Sequence, residues 1–226
     1  MSIANNLLKY KNELDARAVQ LVAVSKYQDA ESVLEAYNAG QRVFGENIVQ
    51  ELVEKASILP NDIQWHLIGH LQTNKVKYIA PFISLIESVD SLKLLQEINK
   101  QALKNKRTID CLLQVYIADE DTKFGLGFDE VVELLRADEF QELKNVRIVG
   151  LMGIASNTDS EKRIRDEFEE LKVLFDGIKL SYFRKEDSFR EISMGMSSDY
   201  KIAIEEGSTM VRIGSSIFGK RKVKND

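Results

Sequence analysis

The chain has 226 residues, 44% of them hydrophobic and 30% charged, with 31 basic against 36 acidic side chains and a formal charge of −5. That composition excludes a disordered or fibrous chain. It suffices for a large core without disulfides or metal clips, and it lacks the basic excess that non-specific nucleic-acid binding needs.

No run approaches the roughly 18 consecutive apolar residues of a membrane span, and the first eleven residues lack a charged-then-apolar leader pattern. Cys111 stands alone in an apolar run, which points to a reducing compartment and a buried structural thiol. The expectation is a cytoplasmic protein that contacts neither membrane nor nucleic acid.

In chain order, Ile3, Leu7, Tyr10 and Leu14 recur at helical spacing and predict an amphipathic N-terminal helix. Short apolar runs rich in β-branched residues follow at 21–24, 42–44, 63–68, 84–89, 111–117, 147–152, 191–194 and 210–213. Helical periodicity separates several of them, as in Ile48/Leu52/Ala56/Leu59, Leu92/Leu95/Ile98/Ala102 and Ile164/Phe168/Leu171/Leu174/Ile178. Residues 119–127 read as a polar, glycine-bearing turn after the fifth run. Residues 179–190 read as a charged connection at the opposite end of the fold. Pro60, Pro81 and the twelve glycines form no linker, so one continuous domain is expected. The basic stretch 220–224 reads as a solvated tail.

Runs without clean polar alternation suit parallel strands buried on both faces. Eight strand–helix units of about 28 residues fit a single (β/α)8 TIM barrel with an extra N-terminal helix. An open doubly wound sheet fits the same alternation.

Barrel enzymes place their sites at the C-terminal ends of the strands. The first run ends in Ser25-Lys26, the second in Gly45-Glu46-Asn47, the seventh in Met194-Gly195-Met196-Ser197-Ser198 and the eighth in Arg212-Ile213-Gly214-Ser215-Ser216. Small residues ahead of a helix at the last two positions would turn backbone N–H groups and positive dipole ends outward side by side, a phosphate cradle. The plainer reading is that these serines cap helices.

Lys26 alone reads as a solvated loop residue. Beside a bound phosphorylated aldehyde it becomes a candidate imine-forming amine. At its reference pKa only about one such amine in 2,500 is neutral at pH 7, and burial near Arg212 would raise that fraction. His66 and His70 lack the metalloprotease pattern and read as core or loop histidines, Asn47 as a cap for a helix beginning near Ile48, and Trp65 as core. There is no dinucleotide fingerprint, Walker loop, nucleophile elbow or metal-ligand set.

The runs Ala23-Val24-Ser25-Lys26, Phe44-Gly45-Glu46-Asn47, Trp65-His66-Leu67-Ile68-Gly69-His70, Gly150-Leu151-Met152, Ser193-Met194-Gly195-Met196-Ser197-Ser198-Asp199 and Gly207 through Gly214 together resemble the pyridoxal phosphate (PLP) homeostasis proteins. That family is related to the N-terminal barrel of alanine racemase. The resemblance covers nearly the whole chain and implies one PLP-binding barrel domain over 1–226, with Lys26 holding PLP as an imine. It also implies that Ser197, Gly214 and Ser215 hold the phosphate, that Asn47 and Arg212 lie near the ring, and that Met194 belongs to the same site.

Tyr27-Gln28 departs from the threonine and basic residue frequent in the family. A charged arginine beside the ring nitrogen weakens the cofactor as an electron sink, and no second domain follows in this sequence to supply an acid/base group. The implied role is PLP homeostasis and supply rather than catalysis, with acceptor apoenzymes or free amines as partners and a monomer or weak dimer as the assembly. A PLP-dependent racemase or lyase and a cofactor-free aldolase are the competing readings.

Overall fold

Ser2 starts the first helix by accepting the Asn5 N–H on its side chain, and the same device recurs where Asp29, Ser91 and Ser160 accept from Ser32, Leu94 and Arg163. The computed structural model describes residues 2–118 and 125–219. The chain runs α1 (Ile3–Asp15), β1 (Gln20–Val24), α2 (Ala30–Asn38), β2 (Val43–Glu46), α3 (Val49–Ile58) and β3 (Gln64–Leu67), then through a short 3-10 turn into α4 (Val76–Ile79). It continues with β4 (Leu85–Val89), α5 (Leu92–Lys104), β5 (Ile109–Val115), α6 (Phe128–Arg136), α7 (Asp138–Gln141), β6 (Val146–Gly153) and α8 (Glu161–Tyr182). The last elements are β7 (Glu191–Met196), α9 (Tyr200–Glu205), β8 (Met210–Ile213) and α10 (Ser215–Phe218).

All eight strands are parallel and close into one barrel in chain order. The closing contact pairs Gln20 with Met210 and Ala23 with Ile213. This pairing removes the open-sheet alternative, because an open sheet leaves its edge strands unpaired.

Alternation along each strand divides the apolar residues into two layers. Val22, Val43, Leu85, Leu112, Val149, Met152 and Met210 fill the barrel interior. Leu21, Ala23, Phe44, Trp65, Ile192 and Met194 face outward into a larger cluster that the helices cover. Trp65 is buried beside Phe44, with ring centroids 5.9 Å apart.

Four expectations shift in detail. The second strand runs on through Gly45 and Glu46, and the seventh through Gly195 and Met196, so residues read as loop lie within strands. The fifth begins at Ile109 and ends at Val115. Helix α8 extends to Tyr182 and takes up the start of the stretch read as a connection. Asp187, Ser188 and Arg190 line a cavity with Gln20 and Gln64, the first residues of β1 and β3, which places them at the N-terminal end of the barrel. Of the polar turn at 119–127, residues 119–124 lie outside the described residues, as do 220–226 of the basic tail.

Cys111 is fully buried on the outward face of β5, and burial, with Asp110 next to it, pushes its thiol far above the ordinary range. A thiol held protonated and covered is a poor nucleophile. The native chain is therefore expected to leave a thiol reagent unconsumed, whereas the denatured chain reacts with one equivalent; rapid reaction of the native chain would contradict this placement.

Candidate functional site at the C-terminal end of the barrel

The register brings the expected residues to one end. Ala23 pairs with Ile213 and Val24 with Gly45, so Lys26 leaves β1 between Gly214-Ser215 on one side and Asn47 on the other. A Cβ added to Gly214 would lie 3.1 Å from the Val24 carbonyl oxygen and 3.2 Å from Val24 Cβ. A side chain here would crowd β1 by a few tenths of an ångström, so the glycine lets the start of α10 sit close to the root of Lys26. At the third strand a Cβ on Gly69 would lie 2.5 Å from the Asn47 carbonyl oxygen, so the loop after β3 packs directly on Asn47.

Ser25 is fully buried and faces α3. Its Oγ donates to Glu46 Oε1 at 2.7 Å. Lys55 Nζ, from α3, donates to the same oxygen at 2.6 Å, to the Ser25 carbonyl at 2.7 Å and to Glu51 Oε1 at 2.8 Å. Burial pushes the Glu46 carboxyl up, and Lys55 and Ser25 only partly offset it. The strand ends at Val24, and Lys26 follows Ser25 as the first residue of a turn at this end of the barrel. Lys26 is half-buried there.

A second buried network lies on the barrel axis. Arg212 Nη1 donates to Ser193 Oγ at 2.6 Å and to the Ser193 carbonyl at 2.8 Å, and Nη2 donates to the Gly153 carbonyl at 2.8 Å. Ser193 Oγ donates to Glu87 Oε2 at 2.6 Å, while Glu87 Oε1 meets His66 Nδ1 at 2.7 Å. A carboxylate only accepts, which places a proton on Nδ1. Burial alone would push the Glu87 carboxyl up, but His66, Arg212 and Ser193 outweigh it and hold it below its usual range. Burial likewise lowers Arg212, opposed by Glu87 and Asp199. Its guanidinium remains charged at neutral pH.

Several expectations are corrected. Asn47 does not cap a helix: α3 starts at Val49 with Ile48 at its N-cap and no side-chain cap bond, and Asn47 Oδ1 is buried with no hydrogen-bond partner among the described residues. The serines do not cap either. Gly214 is the N-cap of α10 and Asp199 that of α9. Asp199 Oδ1 instead accepts the Met196 N–H at 2.6 Å, closing the turn that presents Ser197. The Met194 side chain is fully buried in the outer layer, so the barrel mouth sees that residue only through its backbone. His66 is a core histidine, and His70 is a loop histidine 3.2 Å from Asp90.

Sequence reasoning missed Glu87, Ser193, Glu51 and Lys55. A readable signal existed for Glu87, since an acid inside the run Leu85-Ile86-Glu87-Ser88-Val89 is buried with its strand and must find partners.

Against known proteins, residues 1–222 match the family model described as alanine racemase, N-terminal domain. The pyridoxal phosphate homeostasis protein of Aquifex aeolicus is 41% identical over 204 residues, covering 90% of this chain and 87% of that protein. That of Escherichia coli is 36% identical over 232 residues, 97% of each. Among solved structures, PipY of Synechococcus elongatus with PLP bound superposes with a TM-score of 0.85 at 34% identity, covering 96% of this chain and all of that one.

Proposed function

The chain belongs to the alanine racemase N-terminal domain family and, within it, to the pyridoxal phosphate homeostasis proteins, and from that premise we propose that it binds pyridoxal 5'-phosphate in intracellular PLP homeostasis and supply. The observation that carries this reading is the contact of Gly214 with Val24. It sets the first turn of α10 against the root of Lys26, so an anion held there has an amine within reach. The buried, unpartnered Asn47 Oδ1 suits a group that brings a hydrogen-bond donor, and the cofactor carries a phenolic hydroxyl beside its aldehyde.

Lys26 would hold the cofactor covalently through its neutral amine, and bound PLP would supply the aldehyde that this amine meets, with water as the leaving product. The Ile217 and Phe218 N–H groups already donate to the Gly214 carbonyl, so the Ser215 and Ser216 N–H groups, with the hydroxyls of Ser215 and Ser197, are the donors that would bind the phosphate. Arg212 stands on the axis below the mouth and donates only. Near the ring it would disfavour a protonated ring nitrogen, because a guanidinium only donates, and Ser193 and Glu87 hold Arg212 in place. PLP supplies an electron sink that works best with a protonated ring nitrogen, and this arginine works against it. We therefore read the role as holding and releasing PLP, to free amines or acceptor apoenzymes, rather than turning over amino acids. A lone, buried Cys111 fits a reducing cytoplasm.

Desalted protein after incubation with PLP is expected to be yellow, and the Lys26→Ala chain colourless. Amino-acid racemisation or elimination should stay near the background of free PLP; enzyme-like turnover would remove the non-catalytic half of the proposal. Ser197→Ala and Ser215→Ala are expected to raise the PLP dissociation constant by roughly tenfold each, from about 1.5 kcal/mol per lost donor to a charged group. The melting point of the ligand-free chain should barely move, and an equal loss of ligand-free stability would contradict the assignment.

A further inference from the structure

Lys26 lies inside a tight turn whose two flanking residues end in one charge cluster. The Gln28 N–H donates to the Ser25 carbonyl at 3.1 Å, and Tyr27 between them has φ 63°, a left-handed conformation that costs a residue with a side chain. Such a turn persists only where its surroundings fix it. Here the residue before Lys26 is fixed by Lys55, which takes the Ser25 carbonyl at 2.7 Å, and by Glu46, which accepts from Ser25 Oγ. The residue after it is fixed by Glu51, whose Oε1 accepts the Tyr27 N–H at 2.7 Å. Lys55 joins the two sides, because its three ammonium protons match three acceptors: the Ser25 carbonyl, Glu46 Oε1 and Glu51 Oε1.

Stability does not explain this arrangement. Lys55 is only 4% exposed, and a buried ion pair recovers its desolvation cost poorly; replacing both Lys55 and Glu46 by uncharged side chains of similar volume is commonly near neutral for stability. What an apolar side chain would not do is grip a backbone carbonyl one residue from Lys26.

We propose that Lys55 is a positioning residue for Lys26: with Glu51 it locks the 25–28 turn so that the Lys26 amine leaves the rim in the one direction from which it meets an aldehyde anchored by its phosphate. The inference rests on the PLP reading above. A misplacement of about 1 Å at a reacting group slows bond formation by up to about a hundredfold, so the lock acts on the rate and extent of covalent capture and leaves phosphate binding intact.

The test uses the full chain and PLP. Three quantities are measured: the rate at which the visible band of the lysine-linked cofactor grows, the fraction of bound PLP that borohydride fixes to Lys26, and the total PLP retained. Glu51→Ala removes the acceptor for the Tyr27 N–H at a partly exposed position, and Glu51→Gln keeps it. Lys55→Met is paired with Glu46→Gln, so that no uncompensated carboxylate stays buried if the single variant fails to fold.

Glu51→Ala and the Lys55→Met/Glu46→Gln chain are expected to form the band at least about tenfold more slowly and to show a lower fixed fraction, with smaller losses in retained PLP. Glu51→Gln should restore the rate. Wild-type rates in both folded variants, or a loss of rate matched by an equal loss of retained PLP, overturn the inference and leave PLP binding standing. A wild-type chain that fixes no PLP to Lys26 overturns the parent reading and this one with it.

Discussion

Replacing Glu87 by leucine is expected to destabilise the ligand-free barrel by roughly 3–5 kcal/mol, the usual cost of removing one partner from a buried charge pair. Arg212 would remain buried with its charge, 3.8 Å from where Glu87 Oε2 had been, and His66 Nδ1 would lose its acceptor. The acid limb of stability carries the same signature. The folded-state pKa of Glu87 lies below its unfolded value, so its contribution is fully present above the unfolded pKa of about 4.3 and disappears as pH falls through the folded value. Glu46 has the opposite sign: its raised pKa makes its contribution fade as pH rises through the folded value. Denaturant unfolding from pH 3 to 7 should therefore show an acid loss that Glu87→Gln flattens. An acid limb unchanged in Glu87→Gln would mean that another carboxylate is responsible.

Arg212→Leu is expected to cost a similar roughly 3–5 kcal/mol, because the carbonyls of Ser193 and Gly153 lose their donor and Glu87 loses its cation. Its second consequence is spectroscopic. With Arg212 gone, the cofactor ring nitrogen is free to take up a proton, and the visible band of the PLP-loaded chain should move and become pH-dependent near neutrality. The two substitutions touch one network, so Glu87→Leu/Arg212→Leu should destabilise by clearly less than the sum of the two. Full additivity would mean that Glu87 and Arg212 are not coupled, and an unmoved band would place Arg212 away from the ring.

The sequence made the strands legible where short β-branched runs are bounded by small residues, as in Leu-Val-Ala-Val before Ser25 and Val-Arg-Ile before Gly214. It concealed strand ends that carry charge. Glu46 reads as loop, yet its backbone pairs with Leu67 and closes β2, and its buried carboxylate is met by Lys55, nine residues on in α3. Closure of the barrel was equally hidden. Periodicity counts strands, but only the pairing of Gln20 with Met210 joins the first to the last.

That Lys26 and the two serine-bearing loops stand directly after strand ends was readable from the apolar runs that precede them. The residues that orient them were not, since Glu87, Ser193 and Lys55 gain meaning only from partners far away in the chain. Asn47 misled for a local reason: an asparagine just before a helical pattern looks like a cap, and one residue of offset in the start of α3 leaves its amide oxygen unpartnered at the mouth instead.

The central claim is tested most directly by treating the PLP-loaded wild-type chain with borohydride, digesting it and locating the added pyridoxyl mass. The account predicts one dominant modified peptide, carrying the mass on Lys26, and its disappearance when Lys26 is replaced by alanine. A modification spread over surface lysines, or fixed at another lysine with Lys26 left unmodified, would contradict it.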